Sequence, residues 1–303
     1  MGGSGLGGVV TGVCGNVQRH RTALDSAGAT SQEPASDGLL QRALRPALLR
    51  ADGVRSSFSL VLGHGRGGAG KFFAEVVVLA RAARLLDDEH FTVEGTLIEA
   101  WASAKSFRPK TDADQGPDGD FHGQQRCNDT HQSTTDGDAR LMRKGPGKEA
   151  RLSFGAHALM DSRHGLCADL SVTLASESEP RAAVSLLERQ RQLDHKLFVV
   201  AADCGYHCRG MVDWCRRHLV TPHVAAVRNR QVPGLDGRTL RTKAYRQSPH
   251  IRRGVERIFG WCKSMGGLRK TRYRGLARVT LHAQLVATAY NLLRIANLMP
   301  VPV

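Results

Sequence analysis

The chain has 303 residues, 41% of them hydrophobic, enough for one large domain or two smaller ones with a sizeable core. Its 43 Lys and Arg against 28 Asp and Glu give a net charge of +15 and a pI of about 10.1. That balance argues for a polyanionic partner, nucleic acid first, without separating an enzyme from a structural RNA binder. Seven scattered cysteines show no disulfide-framework spacing, the opening stretch MGGSGLGGVVTGV lacks the basic and apolar regions expected of a signal peptide, and no apolar run reaches membrane-spanning length. A soluble protein of a reducing, intracellular compartment is expected, with no membrane partner.

Residues 1–70 hold 15 of the 33 glycines and few large apolar side chains. They are expected to form a poorly ordered Gly-rich segment with one short Leu/Arg helix at 39–50, interrupted by Pro46. The run GRGGAGK at 65–71 has the Gly-x4-Gly-Lys part of a phosphate loop, but Phe72 stands where a hydroxyl should hold magnesium. A hinge entering a helix is the preferred reading. Residues 71–86 then read as an amphipathic helix, followed by a polar break at 87–89.

From His90 the pattern changes to strands. Phe91, Thr92 and Val93 suggest a strand ending at Glu94-Gly95, with a helix or turn from Leu97. Residues 105–148 read as a long connection rich in Gly, Asp and Lys, ending in a basic turn. Alternation over 152–161 and 166–174 predicts a hairpin turning at 162–165. Ser178-Glu179-Pro180 signals the start of a helix over 176–193. The continuous apolar run KLFVVAA at 196–202 suits a strand buried on both faces, with Asp203 at its C-terminal end. A helix at 211–219, a strand at 222–227, a basic loop at 232–249 and two helices at 251–263 and 281–298 complete the chain. This order implies a mixed α/β sheet with helices on both faces, where acids at strand ends mark the active site.

Charge concentrates late in the chain: residues 205–275 carry 17 Lys and Arg against three acids. Within 251–275 one acid, Glu256, stands among eight cations. Helical spacing puts Arg252 four residues before it and Lys263 seven after it, roughly on one face. Glu94, Asp203 and Glu256 could converge to hold two magnesium ions, the arrangement that activates an attacking oxygen and stabilises a leaving one at a phosphodiester. The alternative at this point is salt-bridged structural carboxylates. The spacing of Cys204, His207, Cys208, Cys215 and His218 matches no common zinc site. His157 reads as a buried, hydrogen-bonded strand residue and Trp261 as core. Lys144 and Lys148 suit either phosphate contact or a solvated turn.

Five blocks carry a family resemblance: HFTVEGTLIEAWASAKSFRPK, NDTHQSTTDGDARLMRKGPGKEARLSFGAHALMDSRHGL, AADCGYH, IRRGVERIFGWCKSMGGLRKTRYRGLARV and the run Tyr290-Asn291-Leu292. Over residues 90–300 the chain resembles the DDE transposases of bacterial insertion sequences, within the insertion-sequence-five group. The resemblance implies a ribonuclease-H-like catalytic domain over 71–300 and magnesium-dependent cleavage and strand transfer at element ends, with manganese as a substitute ion. It implies double-stranded DNA as partner, a homodimer on that DNA, and a bacterial, cytoplasmic, nucleoid-associated location. Carried over by position, Asp203 and Glu256 match the second and third catalytic acids, and Glu94 stands where the family has Asp in a Val-Asp-Gly-Thr run. Arg252 and Lys263 match the basic positions around the third acid, and Pro249 replaces the signature tyrosine. Arg252, Arg253, Lys263, Arg269, Lys270, Arg272 and Arg274 are the expected DNA-binding residues. Two readings follow, an active transposase and a catalytically dead DNA-binding remnant whose Gly-rich N-terminus lacks the family's usual DNA-binding region.

Overall fold

The computed structural model describes residues 68–86, 88–110 and 126–299. The predicted Gly-rich segment to residue 67, including the short helix at 39–50, and the middle of the predicted long connection lie outside them. Strand β1 (His90–Glu99) is the centre of a six-stranded sheet. It pairs antiparallel with β5 (Ala150–Asp161), from Phe91↔Asp161 to Glu99↔Ser153. On its other edge it runs parallel to β7 (Val199–Ala202), which is parallel in turn to β8 (Thr221–Val224). The far edge of β5 carries β4 (Arg140–Arg143) and then β6 (Cys167–Leu174), both antiparallel. Three antiparallel strands followed by two parallel ones, in the order β6-β5-β1-β7-β8, form a ribonuclease-H-like mixed sheet.

The helices cover both faces, as the period of two in β1 shows. Gly95 faces α2 (Glu179–Gln192), where a Cβ would meet the Glu179 Oε1 at 2.8 Å. The alternate residues Glu94 and Thr96 face the opposite layer, formed by α5 (Lys243–Arg252) and α6 (Val255–Ser264). Among the described residues the first helix, α1 (Gly68–Ala82), includes the end of the Gly-rich run and packs on the last, α7 (Leu276–Leu298). Gly68 and Gly70 thus belong to a helix. Between α2 and α7 lie α3 (Arg209–Arg217) and the single-turn α4 (Gly237–Leu240). Trp261 is half-buried against Tyr290, their ring centroids 5.7 Å apart, as a core side chain would be.

Three expectations need correction. Strand β1 runs on to Glu99 rather than ending at Glu94-Gly95. Its partner β5 has twelve residues, so every further pair satisfies backbone groups that a turn would leave to water. The stretch expected as a long connection contains a 3-10 turn (Ala104–Ser106), the paired strands β2 (Phe107–Pro109) and β3 (His131–Ser133), and β4. These strands are three or four residues long, too short for a periodic signal, and are held by specific contacts. Asn128 brackets Leu141, accepting its N–H at 2.8 Å and donating to its carbonyl at 3.0 Å. Asp136 accepts from the Gly275 N–H at 3.1 Å and Asp138 from that of Leu276 at 2.8 Å, so acids of this stretch supply the N-terminal cap that Gly275 itself lacks.

The third correction is the expected basic loop at 232–249, which contains α4 and α5. Asp236 caps α4 through the Arg238 N–H and Thr242 caps α5 through that of Tyr245. The Tyr245 hydroxyl donates to the Val224 carbonyl at 2.9 Å, fastening α5 to β8. Pro249 sits inside α5 despite its missing N–H. Its neighbour Ser248 is buried and bonds His90 Nε2 at 3.0 Å, so tertiary contacts override the local preference.

The Tyr290-Asn291-Leu292 run has a plain structural role. Asn291 is fully buried and joins α7 to the start of β6 twice, accepting from the Cys167 N–H and donating to its carbonyl, each at 2.8 Å. Tyr290 donates to the Gly165 carbonyl and Arg294 to that of His164. Together they clamp the turn of the β5–β6 hairpin.

Candidate active site

Two of the three predicted acids meet at one pocket. Glu94 lies midway along β1, and Asp203 follows directly on β7, the parallel neighbour of β1. Asp203 caps the 3-10 turn Cys204–Tyr206, its Oδ1 accepting from the Gly205 N–H at 2.8 Å. A third carboxylate that the sequence reading missed stands beside them. Glu179, the first residue of α2, reaches over Gly95 and lines the same cavity of about 450 Å³ as Glu94 and Asp203. As an acid in the first turn of a helix it reads as a capping signal, which hid it.

The charges of these acids act on one another. Burial, then the Asp203 carboxylate, push Glu94 up to about 7, with Glu179 adding to the rise and Arg252 opposing it. Burial and Asp203 likewise raise Glu179. Tyr206 is fully buried beside them, its hydroxyl has no hydrogen-bond partner among the described residues, and burial with the three carboxylates pushes its ionisation up. His157 also lines the pocket. Burial pushes it down to about 4, so it is neutral at pH 7, and its Nε2 lies 3.0 Å from the Thr173 hydroxyl.

Glu256 stands apart. It is exposed in the first turn of α6, does not line this pocket and enters no ion pair among the described residues. The two cations bracketing it turn inward. Arg252 donates to Glu94 Oε2 at 2.7 Å, and Lys263, half-buried, donates to the Thr96 hydroxyl. Lys270 pairs with Glu99 at 3.0 Å and lies over the Trp101 ring. Arg253, Arg269, Arg272 and Arg274 are exposed. Of the histidines and cysteines near Asp203, His207 Nδ1 accepts the Val227 N–H, His218 Nδ1 bonds the Trp214 carbonyl and Cys215 is buried.

Residues 86–292 match the family model of the transposase DDE domain. The chain belongs to this family. A comparison with curated proteins gave no match. Among solved structures, the DDE domain is similar to the simian T-cell lymphotropic virus intasome in complex with the PP2A regulatory subunit B56 gamma. The identity is 10% and the TM-score 0.31, over 60% of this chain and 41% of that one. It is also similar to the piggyBac transposase synaptic complex with hairpin DNA, at 10% identity and a TM-score of 0.45, over 86% of this chain and 56% of that one. A third similarity is to the Mos1 mariner paired end complex with Mn, at 12% identity and a TM-score of 0.28, over 90% and 80% of the two chains. The chain thus spans about half the length of the first two.

DDE transposases generally depend on a divalent metal, and the donor set of this DDE domain fits such an ion in charge and chemistry. Three carboxylates offer hard oxygen donors, and a single guanidinium opposes their mutual repulsion. The Tyr206 hydroxyl beside them, orphaned among the described residues, marks a polar space lacking a partner. The donors share one pocket without closing on a point. Among the described residues, no three His, Cys, Asp or Glu side chains gather at metal-holding spacing. No helix of the described residues is long and apolar enough to cross a membrane.

Proposed function

We propose that the protein is a DNA transposase of the insertion-sequence-five group that cuts phosphodiester bonds at element ends and joins them to target DNA. The observation that carries this reading is the pocket at the centre of the sheet. There Glu94 on β1 and Asp203, directly after the parallel β7, are close enough for Asp203 to help raise Glu94 to about 7.

Glu94 and Asp203 would hold the divalent cations, two Mg²⁺ or Mn²⁺ in their place, with Glu256 as the third ligand. Bound there, the ions supply activation of the attacking oxygen and stabilisation of the leaving one. Glu256 enters this reading by its match to the family's third-acid block, and it follows by four residues Arg252, whose guanidinium reaches Glu94. In the first reaction water attacks phosphorus, the P–O3′ bond breaks, and the departing 3′ oxygen gains a proton as water loses one. In the second, that 3′ hydroxyl attacks a target phosphorus and a target 3′ oxygen leaves protonated. Arg252 fixes the orientation of Glu94, and the exposed Arg253, Arg272 and Arg274 hold flanking phosphates of double-stranded DNA. Recognition of two element ends at once suits a homodimer, and the soluble bacterial cytoplasm is where such DNA lies.

Arg252 already occupying Glu94, together with the exposed Glu256, supports the second reading, a remnant that binds DNA without cutting it. Strand cleavage of element-end duplex in Mg²⁺ or Mn²⁺ separates the two. The enzyme reading predicts nicks bearing a 3′ hydroxyl that disappear with Glu256→Gln. It also predicts faster cutting by Glu94→Asp, which restores the family's shorter carboxylate, because a shift of about 1 Å at a reacting centre changes rates about a hundredfold. If neither wild type nor Glu94→Asp cuts while both bind DNA, the remnant reading stands.

A further inference from the structure

The carboxylate pocket does not end at the acids. It adjoins a second cavity of about 510 Å³, and Leu97, Met142 and Lys144 line both, so the two form one continuous groove. Its far part is lined by Lys144, Lys148, Arg151, Lys263 and Arg269. These cations are sorted by their partners. Arg151 is held by Glu99 at 2.8 Å and Glu149 at 3.1 Å. Lys263 is committed to Thr96. Lys144, Lys148 and Arg269 are exposed and enter no ion pair among the described residues.

Two features place these free cations with purpose. The turn between β4 and β5 is tightened by Gly147 at φ 71°, a conformation a side chain would strain, and the turn carries both Lys144 and Lys148 to the groove. Lys144 and Arg269 also lie near enough to Lys263 to add to the lowering that burial imposes on its ammonium. Like charges gathered on a concave wall repel one another until an anion enters.

We infer that the β4–β5 turn is a phosphate clamp in which Lys144, Lys148 and Arg269 hold the DNA backbone beside the scissile phosphate. The strand then leaves the carboxylate pocket along this turn, with Lys144, shared by both cavities, nearest the acids. The inference rests on the transposase reading and moves the backbone contact away from Lys263, half-buried against Thr96, and from Lys270, paired with Glu99.

The test is the salt dependence of binding by the full chain to a duplex oligonucleotide. Each lost phosphate contact reduces the slope of log K against log salt by about 0.9. The double variant Lys144→Gln/Lys148→Gln is therefore expected to bind with a slope shallower by about 1.8. The control Arg181→Gln/Arg209→Gln, which removes exposed cations outside the groove, should keep the wild-type slope. A turn variant with an unchanged slope, or a control that falls as far, overturns the clamp and leaves the transposase reading standing. A wild-type protein that binds with no salt dependence overturns both.

Discussion

Asp203→Asn is expected to reduce divalent-dependent strand cleavage on the order of 10³-fold while leaving the protein folded. The side chain sits at the C-terminal end of β7, and its cap to the Gly205 N–H can be kept by the asparagine oxygen. What the substitution removes is a unit of negative charge in a half-buried pocket. Removing one positioned electrostatic group from an active site costs about 10²–10³ in rate, and Asp203 is proposed to hold the ions that serve both reacting oxygens, which puts the loss at the upper end. The same change relieves the repulsion felt by its neighbours, so Glu94 should fall below about 7 and Glu179 should fall with it. Single-turnover cleavage of an element-end duplex, with a circular-dichroism check of the fold, measures the effect. A variant that cuts within a fewfold of wild type would remove Asp203 from the reaction.

Asn291→Ala is expected to destabilise the domain by about 2–6 kcal/mol, far from the chemistry. The asparagine is fully buried and satisfies both backbone groups of Cys167. Truncation strands a buried N–H and a buried carbonyl, each costing about 1–3 kcal/mol. Loss at this point also loosens the attachment of α7 to β6, and with it the packing of α1. Tyr290→Phe removes only the single bond to the Gly165 carbonyl and should cost about 1 kcal/mol. Urea denaturation of the two variants reads the difference. Equal losses would show that the two hydrogen bonds to the Cys167 backbone carry no special share of the stability.

How much of this was legible beforehand follows from where each element gets its stability. Only the last four residues of the apolar run at 196–202 form β7, and Phe198 in that run is exposed, but the strand is buried from Val200 on and Asp203 stands at its end as expected. The β5–β6 hairpin and the start of α2 carry local signals and were found at nearly their true positions. The second half of β1, the short strands β2 to β4 and helices α4 and α5 are held by partners remote in sequence, such as β5, Asn128 and Val224, which no local pattern reveals. The site divides in the same way. Glu94 and Asp203 are recognisable acids at strands. The contribution of Glu179 depends on Gly95 leaving room for it across two layers, and the inward turn of Arg252 and Lys263 depends on how α5 and α6 cross β1. Helical spacing assigned those two cations to one helix over 251–263, but a break at Arg253 and Gly254 leaves Arg252 on α5 and Lys263 on α6, and no local pattern shows that both reach β1 rather than the DNA.

The central claim is that the Glu94–Asp203 pocket takes divalent cations. Calorimetric titration of Mn²⁺ into the metal-free protein at neutral pH tests it without requiring catalysis or a known DNA sequence. The account predicts saturable binding by the wild-type protein that is lost, or weakened at least tenfold, in Asp203→Asn. Equal Mn²⁺ binding by both proteins, or none by the wild type, would contradict it.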